Sequence, residues 1–242
     1  MKNVAIIQAR LGSTRLPAKV LRDILGHSML HHVVRRVQQC KYIDQIVVAT
    51  SDEEVDKPLV KFCQDEGFDV FEGSHLDVLS RYSDAAKAYK ADNVIRIAAN
   101  CPLIDPGVVD QVIIKLMADP FLDYTSNFFP VRRFPRGLEA EAITLETLLQ
   151  ANKMASDPAE REHVTLQIYR NPSMYKIGSV QTCEDHSSFR WNVDTIDDLK
   201  LISSIYRHFG SRRFRWRNIV DAYRENPHWL TINQNTTQKR VA

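Results

Sequence analysis

The sequence predicts a three-layer α/β/α fold around a mainly parallel sheet. Short apolar runs bounded by polar loops read as buried parallel strands. Stretches with a helical apolar stripe separate them. Strands that alternate with helices in this way place helices on both faces of one sheet.

NVAII (Asn3 to Ile7) is the first strand and ends in a polar loop. From Ser28 to Cys40, Met29, Val33 and Val37 recur every four residues, one helical stripe with His and Arg opposite. QIVVAT (Gln45 to Thr50) is a second buried strand; Asp52 and Glu53 then mark the start of a helical stretch that ends at Gly67. DVF (Asp69 to Phe71) is a third strand, and HLDVLSRYSDAAKAY a helix carrying Leu76, Leu79 and Ala86 towards a core. NVIRIA (Asn93 to Ala98) is a fourth strand, leading into NCPLIDP. A helix over Val108 to Met117 precedes a strand in DYTSN. GLEAEAIT (Gly137 to Thr144) alternates strictly, with Leu138, Ala140 and Ala142 on one face and Glu139 and Glu141 on the other. Helices over Thr144 to Ala155 and Ala159 to Tyr169 lead to YKIGSV and to FRWNVD, read as a strand ending at Asp194. The last strong helix covers Ile196 to Phe209. With no repeat, low-complexity run or Gly/Ser linker, residues 1–210 read as one domain. Residues 211–242 read as a C-terminal basic/aromatic appendage with a polar tail expected to fray.

A length of 242 residues suffices for one large core, and 44% hydrophobic with 26% charged residues is the balance of a water-soluble globular chain. A net charge of +2 supplies no global attraction to nucleic acid or membrane, so neither is expected as a partner and any anion site must be local. Cys40, Cys63, Cys101 and Cys183 lie far apart with no C-x-x-C pair, which points to reduced thiols in a cytoplasmic protein and away from a cysteine metal centre. No apolar run approaches the roughly 18 residues of a membrane span. The run from Val4 to Ile7 is too short for a signal-peptide core.

Ligands of open parallel sheets sit at the carboxyl ends of strands, near the point where strand order reverses. ARLGSTRLPAK, NCPLIDP and NVDTIDD are all expected at such ends. The first has the chemistry of an anion cradle: Gly12 admits close approach, Ser13 and Thr14 add hydroxyls, and Arg10, Arg15 and Lys19 supply charge. It is neither a Walker loop nor a G-x-G-x-x-G turn. Asp194, on the rim facing that loop, is placed to hold Mg²⁺ against phosphates. Asp197 and Asp198 read better as carboxylates at a helix N-terminus.

QARLGSTRLPAKVL, DVLSRY, RIAANCPLIDP, FPRGLEAE, AEREHVTLQIYRNP and RWNVDTIDDL occur in this order. Together, from Val4 to Ile205, they resemble the SpsF-type members of the cytidylyltransferase family, named for spore coat polysaccharide synthesis. Acylneuraminate and 3-deoxy-manno-octulosonate cytidylyltransferases are relatives. The resemblance implies a Rossmann-like nucleotidyltransferase fold over residues 1–210, a homodimer, and transfer of CMP from CTP to an acidic sugar or sugar phosphate with release of pyrophosphate. It implies that Arg10, Ser13, Arg15 and Lys19 grip the triphosphate beside Gly12 and that Asp194 binds Mg²⁺. Ser74, Asp77 and Arg81 would lie near nucleotide and sugar; a helix-capping role serves Asp77 equally well.

Two departures stand out. Asn100 occupies the place of a metal-binding Asp in the family's Gly-Asp-Cys-Pro, and Ala18 stands where a Gly is usual. An amide oxygen can ligate Mg²⁺ but brings no charge, and it cannot act as a base. Asn100 is therefore expected either as a neutral metal ligand of a working site or as the mark of an impaired, nucleotide-binding relative. A nucleotide-sugar glycosyltransferase is a third reading, against which stands the lack of an Asp-x-Asp triplet. Glu139 and Glu141 either face the sugar or lie on an exposed strand face. His163 is expected as a packed or interface histidine, and Arg207 to Arg217 as a solvated or partner-binding surface.

Overall fold

Residues 1–237 are described in the structure, a computed structural model; the end of the polar tail lies outside the described residues. Val4, Ala5, Ile6 and Ile7 of β1 (Asn3–Gln8) are all fully buried, so the strand is covered on both faces. Ala5 and Ile7 enter one core; Val4 and Ile6 enter a second across the sheet.

After β1 come a 3-10 turn (Lys19–Leu21), a hairpin of β2 (Asp23–Ile24) and β3 (His27–Ser28), and α1 (Met29–Val37). Next are β4 (Gln45–Ser51), α2 (Lys57–Asp65), β5 (Asp69–Gly73), α3 (Val78–Ala88), β6 (Asn93–Ala98) and α4 (Pro106–Ala118). The second half contains β7 (Tyr124–Ser126), β8 (Glu141–Thr144), α5 (Leu145–Met154), α6 (Pro158–Glu162), α7 (Leu166–Arg170) and β9 (Ile177–Ser179). It closes with α8 (Ile196–Phe209), α9 (Trp216–Ala222) and α10 (Trp229–Ile232). The main sheet has the order β5-β4-β1-β6-β8-β7-β9. β1 runs parallel to β4 and β6, β4 to β5, and β7 to β9, while β8 is antiparallel to both its neighbours. The expected α/β fold with a mainly parallel sheet is therefore present. Strand order reverses between β1 and β6, so the loops that leave these strands part and open a crevice there.

Several local expectations are corrected. FRWNVD is not a strand of the sheet: it makes one isolated bridge, Arg136 to Arg190, and is sewn to the end of β6 by Val193 N–H donating to Asn100 O at 2.8 Å. Leu76 is 84% exposed, because α3 starts only at Val78 with Asp77 as its N-cap, leaving Leu76 outside the buried stripe. The helix expected over 159–169 breaks at His163–Thr165, where Val164 has a φ of 50°. The polar side of α1 is buried as well: His31, His32 and Arg36 lie inside with Met29, Val33 and Val37.

Arg36 sets the path of the chain beyond Gly210. With 0% exposure, it donates to Ile104 O (2.6 Å), Arg212 O (2.9 Å) and Phe214 O (3.1 Å), and its guanidinium stacks on the Phe214 ring. Trp216 N–H donates to Asp105 at 2.8 Å. Phe214, Trp216, Ile219, Ala222, Tyr223 and Trp229 then join the core formed by α1, α4 and α8. The Arg207–Arg217 segment is thus half core, its aromatic side chains turned inwards. Among the described residues no helix is long and apolar enough to cross a membrane.

His32 ties the same segment to the hairpin: its Nε2 faces Ile24 O at 2.8 Å and its Nδ1 accepts from Arg212 Nε at 3.1 Å. This arrangement requires the neutral ring. Burial lowers its pKa to about 4, with Arg212, His27 and His31 adding to the effect against the Ile24 carbonyl. The folded pKa lies below the unfolded value, so this stability is complete above pH ~6.5 and is lost as pH falls towards 4, about 3 kcal/mol in all. Denaturant titrations over this range should show that loss, and His32→Gln should flatten the slope by up to one proton.

Candidate active site

The loop after β1 is drawn back on itself: Leu11 N–H donates to Asp56 at 2.7 Å and Ala18 N–H to Leu11 O at 3.1 Å. Asp56 is fully buried and also takes the Ser51 hydroxyl. Ala18 sits at φ 51°, ψ 30°, in the left-handed region that a Gly would occupy freely and that costs an L-residue roughly 1 kcal/mol. This bend sends Lys19 towards Asp194.

The Asp194 carboxylate is 5% exposed and receives donors from three stretches of chain. Lys19 Nζ (2.7 Å) and Asn100 Nδ2 (3.2 Å) reach Oδ1. Arg15 (3.1 Å), Arg190 (3.1 Å) and Asn192 Nδ2 (2.8 Å) reach Oδ2. Burial alone would raise its pKa; Lys19 first, then Arg15 and Arg190, outweigh that and hold it at about 2. Behind it, Asp198 takes Arg190 (3.0 Å), the backbone N–H of Asp194 and Thr195 (3.0 Å each), and Asn233 Nδ2 (2.9 Å). Thr195 and Asp198 form a capping box at the start of α8, so the expected structural role of Asp198 holds, while Asp197 pairs with Lys200 at the surface.

On the far side of Asn100 stands a second carboxylate. Cys101 Sγ lies 3.6 Å from Asn100 Oδ1 and 3.9 Å from Glu139 Oε2. Glu139 is held by Arg132 (2.6 Å) and by Gly137 N–H (2.6 Å). Gly137 has a φ of 96°, and a Cβ there would come within 2.6 Å of the Trp191 and Asn192 backbone. Only glycine lets this turn lie against the segment that delivers Asn192 and Asp194.

The other expected site residues stand apart from Asp194. Arg10 reaches Glu162 at 3.8 Å, both well exposed. Gly12 and Ser13 line the loop, and a Cβ on Gly12 would meet nothing within 4 Å. Asp77 caps α3 through Ser80 N–H (2.9 Å) and pairs with Arg161 (3.2 Å); Ser74 takes Asp77 N–H at 3.0 Å. Arg81 is buried and donates to Ser74 O at 2.6 Å. Glu139 is only partly exposed and paired with Arg132, and Glu141 is not on an exposed strand face. It is buried on β8 with Arg96, Tyr124 OH (2.7 Å) and Thr165 Oγ1 (2.6 Å), an ionic knot inside the second core. His163, half-buried at the end of α6, has its pKa lowered by burial.

Sequence reasoning missed Arg190, Asn192 and Arg132. A signal existed for the first: Arg190 precedes Asp194 by four residues and Asp198 by eight. Asn192 bears on metal binding, because its Oδ1 is buried without a hydrogen-bond partner beside Asp194. Carboxylate and amide oxygens are the hard donors Mg²⁺ takes, so Asp194, Asn192 and Asn100 fit such a cation.

A basic loop after the first strand, a carboxylate across the switch point and an α/β sheet between them define a nucleotide-handling α/β protein. The Cytidylyltransferase family profile matches residues 4–228, and the chain belongs to this family. It is 35% identical over 214 residues to the spore coat polysaccharide biosynthesis protein SpsF of Bacillus subtilis, covering 86% of this chain and 87% of that one. A solved cytidylyltransferase from Leptospira borgpetersenii superposes with a TM-score of 0.91 at 32% identity, over 99% of this chain and 100% of that chain. A CMP:2-keto-3-deoxy-manno-octonic acid synthetase complexed with CTP shares the fold, with a TM-score of 0.67 at 21% identity over 86% and 99% of the two chains.

Gly137→Ala should lower stability by roughly 3 kcal/mol, since both its φ and the backbone approach exclude a Cβ. Gly12→Ala, in open space, should stay within about 0.5 kcal/mol of the parent. Chemical denaturation of the two variants checks the contrast.

Proposed function

We propose that the protein transfers CMP from CTP to a hydroxyl of an acidic sugar or sugar phosphate, releasing pyrophosphate, in the synthesis of a surface polysaccharide. The observation that carries this reading is the pairing of Lys19 and Arg15 with the buried Asp194 at the switch point. In the structure these charges satisfy one another. A triphosphate offers Lys19 and Arg15 stronger partners in its phosphate oxygens, and their departure exposes the carboxylate.

Asp194, with the amide oxygens of Asn192 and Asn100, would then hold Mg²⁺, whose chemistry is to neutralise phosphate charge. Arg15 and Lys19 stabilise the negative charge that grows on the departing pyrophosphate, and Arg10 extends the cationic rim. The acceptor oxygen forms a bond to the α-phosphorus as the bond to the bridging oxygen breaks. The acceptor's proton passes to solvent, since Asp194 stays engaged with Arg190 and would be taken up by the cation.

In a pyrophosphate-release assay with CTP, Mg²⁺ and a panel of sugar acids and sugar phosphates, Lys19→Ala should reduce turnover at least about 100-fold. Its fold should survive, because Arg15 and Arg190 still neutralise Asp194. Unchanged turnover would remove the loop from the mechanism.

Asn100 favours a second reading, a nucleotide-binding relative without transfer activity. Thermal shifts with CTP and Mg²⁺ separate that reading from a protein that uses neither. Mg²⁺ alone should give little stabilisation, since Asp194 is already neutralised, and CTP with Mg²⁺ a clear increase in Tm. No shift with any nucleotide would overturn both readings. A silent parent and an active Asn100→Asp variant would favour the second.

A further inference from the structure

Next to the Asp194 cluster lies a groove of about 350 Å³ that the transfer mechanism does not use. One wall carries Arg136, Phe189 and Arg190; the other is built by the C-terminal segment, with Tyr223, Trp229 and Asn233. Its lining includes two arginines and no carboxylate.

The two arginines differ. Arg190 is committed to Asp194 and Asp198. Arg136 is half-buried, and its guanidinium makes no hydrogen bond or ion pair among the described residues. Its neighbours give no relief: burial first, then Arg132, and also Arg190 disfavour its charge, and only Glu139 opposes them. Glu139 already has both oxygens engaged, by Arg132 and by Gly137 N–H. The backbone of Arg136 is meanwhile fixed, its N–H donating to Phe189 O (2.9 Å) and its carbonyl accepting from Trp191 N–H (2.8 Å). A cation on a fixed backbone, partly desolvated and with no hydrogen bond or ion pair among the described residues, is organised for an external anion.

The opposite wall is also secured. Asn233 Nδ2 donates to Asp198 (2.9 Å) and to Arg190 O (3.1 Å), which ties the C-terminal segment to the same carboxylate that supports the Asp194 cluster. Trp229 packs edge-on against Tyr223 at 5.4 Å, so aromatic rings line the groove together with the two arginines. A cation beside aromatic rings suits an anionic group mounted on a compact ring.

We propose that this groove is a subsite for the anionic group, carboxylate or phosphate, of the acceptor, with Arg136 as the residue that recognises it and the C-terminal segment as its wall. That the anion belongs to the acceptor rests on the transfer reading; the affinity of the groove for a small anion does not.

Tryptophan fluorescence titrations of the full chain without CTP test it, with glucuronate and inorganic phosphate as anionic probes and glucose as the neutral one. Wild type should respond to at least one anion and not to glucose. Arg136→Gln should bind that anion roughly ten- to a hundred-fold more weakly, and Arg136→Lys should retain part of the affinity. A preference for glucuronate identifies a carboxylated acceptor, a preference for phosphate a phosphorylated one. Equal binding by wild type and Arg136→Gln, no anion response up to about 50 mM, at the weak limit of affinity, or an equal response to glucose would overturn the proposal. CTP binding, followed by calorimetry on the same samples, tests the transfer reading by itself and should be the same in wild type and Arg136→Gln.

Discussion

The buried Asp194 carboxylate is the constraint on which the site depends. A carboxylate at 5% exposure is tolerable only when its charge is matched and its oxygens are bonded. Here the matching groups come from the loop after β1, the end of β6 and the segment before α8. Elements far apart in sequence are therefore held at the crevice by one shared charge. Removing a single donor leaves others in place, whereas removing the carboxylate would leave Lys19, Arg15 and Arg190 crowded together.

A second constraint acts behind the first. Arg36, entirely buried, donates to three carbonyls, two of them in the chain after α8. That fixes the path of residues 212–214, from which the aromatic side chains of α9 and α10 enter the core. Asn233 can then return to Asp198. The C-terminal segment is thus bound to the Asp194 cluster through the buried Asp198, and it shapes the neighbouring groove.

Most of the architecture was legible because burial on both faces leaves a continuous apolar run. β1, β4 and β6 and the long α8 stand within a residue or so of where periodicity puts them. FRWNVD misled because its apolar residues, Trp191 and Val193, are buried by loop packing and not by a strand ladder. The basic segment after Gly210 misled for a related reason: alternating Arg and aromatic residues look solvated, but the aromatic half is paired with a buried Arg36 that no local pattern reveals. In the site, the basic loop and Asp194 were legible from residue type and position. Asn192 and Arg132 were not, since their roles depend on Gly137 admitting one backbone against another, and Arg190 was signalled only by its spacing to Asp194 and Asp198. The clustering of Ser74, Asp77 and Arg81 was also readable, but the bonds they make serve the start of α3.

Asn100 acquires a physical meaning within this charge balance. Around Asp194 stand Lys19, Arg15 and Arg190, answered by Asp194 and Asp198. An aspartate at position 100 would place a second carboxylate where Asn100 Nδ2 now donates to Asp194 Oδ1, turning an attraction into a repulsion unless a cation lay between them. Asparagine removes the need for that cation and leaves the pocket one charge more positive. On the proposed reading such a pocket favours the polyanionic triphosphate and gives up intrinsic metal affinity. On the proposed reading, the nucleotide therefore brings the metal: phosphate draws Lys19 and Arg15 away, and Asp194 becomes available only as they leave.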